Sequence, residues 1–358
     1  MPKSRIVIAG GGFAGLYAAL QLEKLFKRDR SVSLTLLNDE NFFLFTPMLP
    51  ETAASSIGTR HIVSPLRKLL RRTRFAEVGI EHIDLVSQVV SARHSLTGAA
   101  REFAYDRLIL ALGGVINYFN IPGAAEHSIS FKTLGDAIYV RNHTIDKLEE
   151  AAVEPERAGE LLTFAVVGGG LTGVEVSGAL NDFVREAAKL YPEIRREQIR
   201  VMLIEAGPRL MAEMGEELAS FAQRVLTERR VEVRTNTAVT AVEDSAFELS
   251  TGERIAAGTL IWSAGVSPNP LTAGLDLPKE RGRLRVNEYL EVEGSENLWA
   301  FGDSAYILDH ETGKPFPPTA QHAIREGKRA GRNVAASLGI GARRRFRYRT
   351  MGQLAIVG

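Results

Sequence analysis

The sequence predicts an α/β protein made of two parallel-sheet domains, and three observations carry that reading. A glycine fingerprint occurs twice, as Gly10-Gly11-Gly12-Phe13-Ala14-Gly15 and as Gly168-Gly169-Gly170-Leu171-Thr172-Gly173. Each copy follows a short, apolar, β-branched run and opens a stretch with apolar residues at helical spacing. The length, 358 residues, is enough for two or three separate cores.

In chain order, Arg5-Ile6-Val7-Ile8-Ala9 reads as a buried parallel strand. Residues 13–26 place Leu16, Ala19, Leu20 and Leu25 at helical spacing, and residues 32–37 form the next strand. Together they make one βαβ unit. The second copy repeats the plan with a strand at 164–167, a helix at 172–189 and a strand at 200–204. Short alternating runs such as Val231-Glu232-Val233 and Phe247-Glu248-Leu249, set off by turns like Thr251-Gly252, read as small antiparallel sheets inserted into the parallel ones. The polar stretch 150–159, with Pro155, reads as a loop before the second fingerprint, and 312–318 as another.

Composition is ordinary for a globular chain, with 45% hydrophobic and 24% charged residues. A net charge of +1 gives no reason to expect nucleic acid as a partner. The absence of cysteine rules out disulfides, thiolate metal ligands and a dithiol relay, and no metal site is expected. Met1-Pro2-Lys3-Ser4 leads straight into the first strand, without a cleavable signal-peptide pattern. No apolar run reaches the roughly 18 residues that a membrane-spanning helix needs. These features point to the cytoplasm and leave peripheral membrane attachment open.

The glycines have separate tasks. In G-x-G-x-x-G the first makes a tight turn, the second admits a pyrophosphate, and the third packs helix against strand. The phosphates then meet the unpaired N–H groups and positive end of the helix. Two such loops, each between a strand and a helix, indicate two Rossmann-like dinucleotide sites. After the second loop the strand ends at Glu205, whose carboxylate is placed to accept ribose hydroxyls and repel a 2′-phosphate, favouring NADH over NADPH. After the first loop the equivalent position is Asn38, with Asp39 one residue on.

The run Leu298-Trp299-Ala300-Phe301-Gly302-Asp303 ends a strand in Gly-Asp. It resembles the second FAD signature of the two-dinucleotide-binding-domain flavoproteins, whose carboxylate meets the ribityl hydroxyls. The segment 108–114, with Ala111 and Gly113, resembles the family's short Ala-Thr-Gly turn, with leucine for threonine. The resemblance assigns FAD to Gly10, Gly12, Phe13, Ala14, Gly15, Asn38, Asp39, Ala111, Gly113, Gly302 and Asp303. It assigns NADH to Gly168, Gly170, Leu171, Thr172, Gly173 and Glu205.

Within that superfamily, lack of cysteine excludes disulfide reductases and sulfide:quinone reductases. The positive resemblance is to type II NADH:quinone oxidoreductases, and it runs from residue 5 to residue 358. Residues 41–50, including Thr46 and Pro47, resemble the family stretch beside the isoalloxazine. Residues 166–180, with Glu175, resemble its NADH loop, and Trp262-Ser263-Ala264-Gly265-Val266 its run near the nicotinamide. Residues 317–323, with Ala320, Gln321 and His322, resemble the stretch over the flavin pyrimidine edge that borders the quinone pocket.

Two features depart from the family: Arg325 replaces its second glutamine, and the chain stops where members continue into membrane-docking helices. The resemblance implies a FAD-dependent, non-proton-pumping enzyme. It would pass hydride from NADH to FAD and two electrons to menaquinone or ubiquinone, peripherally on the inner face of the cell membrane and with a homodimer possible. Glu175, Gln321 and His322 are the expected catalytic residues. Arg325 could stabilise a quinol anion or face solvent, and Phe42, Phe43 and Phe45 are packing residues. The expected division is 1–118 with 287–340 for FAD, 119–286 for NADH, and 341–358 as the start of a docking region. Two alternatives stay open at this point: a soluble reductase for a ferredoxin- or rubredoxin-like protein, and a redox-sensing NADH-binding module. Two basic clusters, Arg67 to Arg74 and Arg343 to Arg349, read either as solvated faces or, for the second, as a lipid-headgroup contact.

Overall fold

The computed structural model describes residues 4–358, which divide into two compact units. The first contains residues 4–44, 63–115 and 267–351; the second contains 45–62, 116–266 and 352–358. The boundaries of these units are not the expected ones. The chain passes between units at 115/116 and 266/267, the segment 45–62 belongs to the second unit, and the last residues split at 351/352.

The first unit is built on a seven-stranded sheet in the spatial order Leu298–Ala300, Arg107–Leu110, Ser4–Ala9, Val32–Asn38, Arg74–Asp84, Val89–His94, Ala100–Ala104. The first five strands are parallel and the last two antiparallel. Ser4–Ala9 is the middle one of the five parallel strands, with Ala9 between Leu37 and Leu110. Ile6, Val7, Ile8 and Ala9 are all buried, as a strand covered on both faces requires. Arg74–Asp84 serves two roles: its start pairs with Thr35–Asn38, and its remainder carries the antiparallel meander. Helix Phe13–Leu25 packs along helix Ala320–Ala336. Gly327 allows this contact, because a Cβ there would stand 2.3 Å from the Ala14 carbonyl oxygen.

The second unit holds an all-parallel sheet in the order Ile129–Ser130, Thr259–Trp262, Thr163–Val167, Arg200–Ile204, Val231–Arg234. A separate antiparallel sheet comprises Val239–Glu243, Ala246–Leu249 and Arg254–Ala256. Residues 231–233 therefore belong to the parallel sheet, not to the inserted one. Their alternation has another cause: an edge strand keeps one polar face, and Glu232 on it binds Arg200 at 2.8 Å.

The expected loop at 150–159 is also more ordered. Helix Leu134–Val153, started by a Thr133/Asp136 capping box, runs into it, and Pro155 then opens a short 3-10 turn. Leu49–Ala53 packs on helices Leu134–Val153 and Leu171–Ala187, which draws segment 45–62 into this unit. No helix among the described residues is long and apolar enough to cross a membrane.

Candidate functional site

The two glycine turns have nearly the same backbone. Gly10 has φ +105° and Gly168 φ +106°, a region that side chains strongly disfavour. A Cβ on Gly15 would lie 1.9 Å from the Gly10 oxygen, and one on Gly173 would lie 1.7 Å from the Gly168 oxygen. Those glycines close the helix onto its loop. Gly12 and Gly170 differ: both have ordinary φ values (−72° and −69°), and a Cβ on either meets nothing within 4 Å. Each is the N-cap of its helix, and no side chain caps either helix. An open seat at a helix N-terminus that lacks a side-chain cap fits a pyrophosphate, because the dipole and backbone N–H groups favour an anion there.

The acceptor at the end of the second strand is equivalent too. Asn38 Oδ1 accepts the Gly11 N–H at 2.7 Å, and Glu205 Oε2 accepts the Gly169 N–H at 2.6 Å. Asn38, rather than Asp39, is thus the counterpart of Glu205. Asn38 also donates to the Glu40 carbonyl at 2.8 Å, while Asp39 accepts the Glu40 N–H at 3.1 Å. Glu205 Oε1 accepts a second backbone N–H, from Gly207, at 2.6 Å. Both carboxylate oxygens are therefore oriented by the protein and each keeps a lone pair for a ribose hydroxyl.

Glu205→Gln should raise NADPH use relative to NADH by about ten-fold, roughly 1.4 kcal/mol, by removing the charge that opposes a 2′-phosphate. The same change sets an amide donor against a backbone donor, at a stability cost of about 1–2 kcal/mol. Competition between the two nucleotides in a binding titration checks it, and an unchanged preference would remove Glu205 from the discrimination.

Two turns that the sequence marks separately are copies of one another in the structure. Gly113 and Gly265 stand three residues beyond their strand ends, Leu110 and Trp262, with φ +69° and +68°. Ala111 and Ala264 are the residues against which Gly10 and Gly168 close. The signal was present as Ala-Leu-Gly against Ser-Ala-Gly, too short to stand out in a single sequence.

In the second unit these elements enclose a cavity of about 270 Å³ lined by Gly168, Gly170, Glu205, Thr237, Trp262 and Gly265, among others. Leu171, Thr172 and Gly173 form the first turn of the adjoining helix. A larger cavity of about 430 Å³ elsewhere in the unit is lined by Glu126, Asp136, Glu243 and Asp244. It has no glycine turn and its carboxylates oppose a pyrophosphate, so the smaller cavity is the dinucleotide candidate.

Glu175 lies just beyond the first turn of helix Leu171–Ala187. Burial pushes its carboxyl up to about 7; the Ile356 N–H at 3.3 Å opposes this and the Glu51 carboxylate adds to it. Thr46 and Pro47 form a 3-10 turn in this same unit.

In the first unit, Gly302 (φ +62°) and Asp303 form a 3-10 turn after strand Leu298–Ala300, with Gly302 close to Ala14. Phe13 meets Phe43 edge-on at 4.9 Å. Ala320 starts helix Ala320–Ala336, and Gln321 Oε1 accepts the Tyr348 hydroxyl at 2.8 Å and the Met351 N–H at 3.3 Å.

His322 is buried, with Nδ1 2.7 Å from Thr319 Oγ1 and Nε2 3.1 Å from Thr350 Oγ1. Burial and the nearby Arg325 hold its pKa below the ordinary histidine value. Both ring nitrogens are thus engaged by hydroxyls, and the neutral form is favoured. Arg325 is not free in solvent: it stacks on Tyr348 at 4.9 Å and donates to the Gln321 carbonyl at 3.0 Å.

Five residues of the basic clusters have partners for their side chains within the fold. Arg343, Arg345 and Arg347 pair with Glu291, Glu288 and Glu311. Arg67 lies over Phe75, and Arg72 donates to the carbonyls of Asp29 and Val32. One buried acid had not been singled out in the sequence: Glu326, 2% exposed, accepts the Gly302 N–H at 2.8 Å.

Comparison with known proteins agrees with this architecture. The pyridine nucleotide-disulphide oxidoreductase family model matches residues 4–327. The chain is 32% identical to the type II NADH:quinone oxidoreductase of Mycobacterium tuberculosis, covering 99% of this chain and 78% of that protein. It is 34% identical to the mitochondrial external alternative NAD(P)H-ubiquinone oxidoreductase B4 of Arabidopsis thaliana, over 85% of this chain and 55% of that protein. The chain thus spans little more than half the length of that plant relative. Among solved structures, the NDH2 of Plasmodium falciparum in complex with NADH has the same fold, with a TM-score of 0.90 over 99% of this chain and 88% of that one at 23% identity.

Proposed function

The chain belongs to the pyridine nucleotide-disulphide oxidoreductase family, among its type II NADH:quinone oxidoreductases, and we propose that it passes hydride from NADH to FAD and then two electrons to a quinone. The net reaction consumes NADH, one proton and a quinone, and yields NAD⁺ and a quinol. The observation that carries the reading is the duplicated glycine seat, one copy in each unit, ending in an amide in the first and a carboxylate in the second. Two dinucleotides used together define a hydride-transfer flavoprotein.

The first seat suits FAD. Gly10, Gly12, Phe13, Ala14 and Gly15 receive its pyrophosphate, Asn38 with Asp39 faces the adenosine ribose, and Ala111 and Gly113 shape the turn beneath. Asp303, presented by Gly302, would take the ribityl hydroxyls, and Ala320 and Gln321 would meet the ring. Bound FAD supplies a two-electron carrier, so that NADH oxidation and quinone reduction proceed as separate half-reactions.

The second seat suits NADH. Gly168, Gly170, Leu171, Thr172 and Gly173 receive the pyrophosphate, Glu205 the ribose, and Ala264 and Gly265 the nicotinamide end. Glu175 retains a proton near neutrality and is the group we assign to proton delivery. His322 fixes the start of its helix through Thr319 and Thr350, and so positions Gln321. In this reading the acceptor is menaquinone or ubiquinone; a lipid-soluble acceptor calls for peripheral attachment to the membrane, which the same reading sets on the inner face of the cell membrane.

An anaerobic spectrum tests the assignment. Purified protein should show flavin absorbance that bleaches with NADH and returns with a menaquinone or ubiquinone analogue. Failure of any flavin to copurify or reconstitute overturns it. Bleaching that only a small iron–sulfur protein reverses would move the acceptor away from quinone.

A further inference from the structure

Within the first unit, helix Ala320–Ala336 is pressed against helix Phe13–Leu25, backbone to backbone. A Cβ on Gly327 would lie 2.3 Å from the Ala14 oxygen, and one on Gly331 would lie 3.0 Å from the Ala18 oxygen. That close approach carries Glu326, the residue before Gly327, to the turn at Gly302–Ser304. Its Oε2 accepts the Gly302 N–H at 2.8 Å, and a Cβ on Gly302 would stand 3.3 Å from Ala14 Cβ. The uncapped end of helix Phe13–Leu25, the Gly302-Asp303 turn and Glu326 therefore form one packed cluster around the first glycine seat.

We propose that Glu326 is a positioning residue for FAD: it holds the Gly302-Asp303 turn in place and makes flavin retention depend on pH. This rests on the reading of the first seat as the FAD site. A carboxyl in this place is an unusual choice, because the turn needs only an acceptor oxygen, which an uncharged amide supplies equally well.

Ionisation puts a buried negative charge beside Asp303 and next to a seat that receives a pyrophosphate. The charged groups bearing on Glu326 are Asp303, which opposes ionisation, and Arg283, which favours it. Helix Phe13–Leu25 contributes no charge over residues 13–22. On the helix of Glu326 itself, Arg325 is stacked on Tyr348 and Lys328 on Tyr17. Burial dominates and pushes the Glu326 carboxyl up to about 7, so its charge changes within the ordinary working range of pH. By linkage, a ligand whose charge disfavours the ionised form binds more weakly once the group has lost its proton.

The experiment measures FAD release from the holoprotein, by the fluorescence of freed FAD, between about pH 5.5 and 9. Wild type is expected to lose FAD affinity by about ten-fold across that window, because each unit of pKa difference corresponds to a ten-fold change in coupling. Glu326→Gln keeps the acceptor for Gly302 and carries no charge, so it should hold FAD at the wild-type low-pH strength throughout. Glu326→Leu removes the acceptor and should weaken binding at every pH.

A flat wild-type profile overturns the proposal even if a variant fails to fold. So does a Glu326→Gln profile that follows wild type, since the dependence would then belong to another group. Failure of wild type to take up FAD at all overturns the cofactor assignment instead, and is distinguishable from both.

Discussion

Gly170→Leu yields a folded, flavin-containing protein whose absorbance no longer bleaches with NADH. The backbone at Gly170, φ −69° and ψ −176°, is one that any residue adopts, and a Cβ there meets no protein atom within 4 Å. Folding therefore proceeds undisturbed, with a gain of up to about 1 kcal/mol from the reduced freedom of the unfolded chain. The side chain instead occupies the seat at the helix N-terminus and excludes the pyrophosphate. The expected loss of NADH affinity is at least about a thousand-fold, roughly 4 kcal/mol.

Gly12→Leu, where the surroundings are the same, should give a folded protein without flavin. The pair separates the two sites by readout: one variant keeps flavin and ignores NADH, the other never acquires flavin. Normal bleaching of the Gly170→Leu flavin by NADH would show that the second seat is not where NADH binds. Substituting Gly173 instead would be uninformative, because its Cβ would collide with the Gly168 oxygen and disturb the fold itself.

Glu175→Gln is expected to lower NADH:quinone turnover by on the order of a hundred-fold, the usual scale for losing a positioned acid. FAD content should stay unchanged. In wild type, turnover should decline as pH rises through about 7, the value to which burial lifts this carboxyl; in Glu175→Gln that decline should be absent. Parallel profiles for the two proteins would assign the titration elsewhere and leave Glu175 as a packing acid.

Glu175 and Glu326 also make stability depend on pH, and with the same sign. Each is harder to ionise folded than unfolded, its ordinary value of 4.5 being raised to about 7. The folded protein therefore binds more protons between those values. The stability that these two groups contribute is fully present below about pH 4.5 and lost as pH rises through about 7. For the fully buried Glu326 the loss approaches about 3 kcal/mol, and Glu326→Gln should flatten the profile of Tm against pH by that share.

Much of the candidate site was legible because it is local. The fingerprint glycines were readable since each answers a backbone requirement among near neighbours: a positive φ at Gly10 and Gly168, close packing at Gly15 and Gly173. Glu205 was readable because a strand end has a regular place relative to the loop before it. Asn38 was readable as the equivalent position on the same basis, and the bond from Gly11 to Asn38, which spans 27 residues, agrees with it. Residues 231–233 were misplaced because alternation describes an antiparallel strand and the edge of a parallel sheet equally well.

Sequence alone established the two strand–loop–helix seats, the lack of thiol chemistry, and the acidic end of the second seat, since each depends on residue type and short-range geometry. Tertiary packing made the remaining assignments. It drew 45–62 into the second unit, placed the Ile356 N–H on Glu175 across 181 residues, and brought Glu326 to Gly302 across 24. It also showed His322 and Arg325 to be engaged within the fold. The physical reason is common to these cases. A carboxyl's proton affinity and a histidine's free nitrogens depend on what surrounds them in space, and those neighbours come from elements that helix packing, not chain order, brings together.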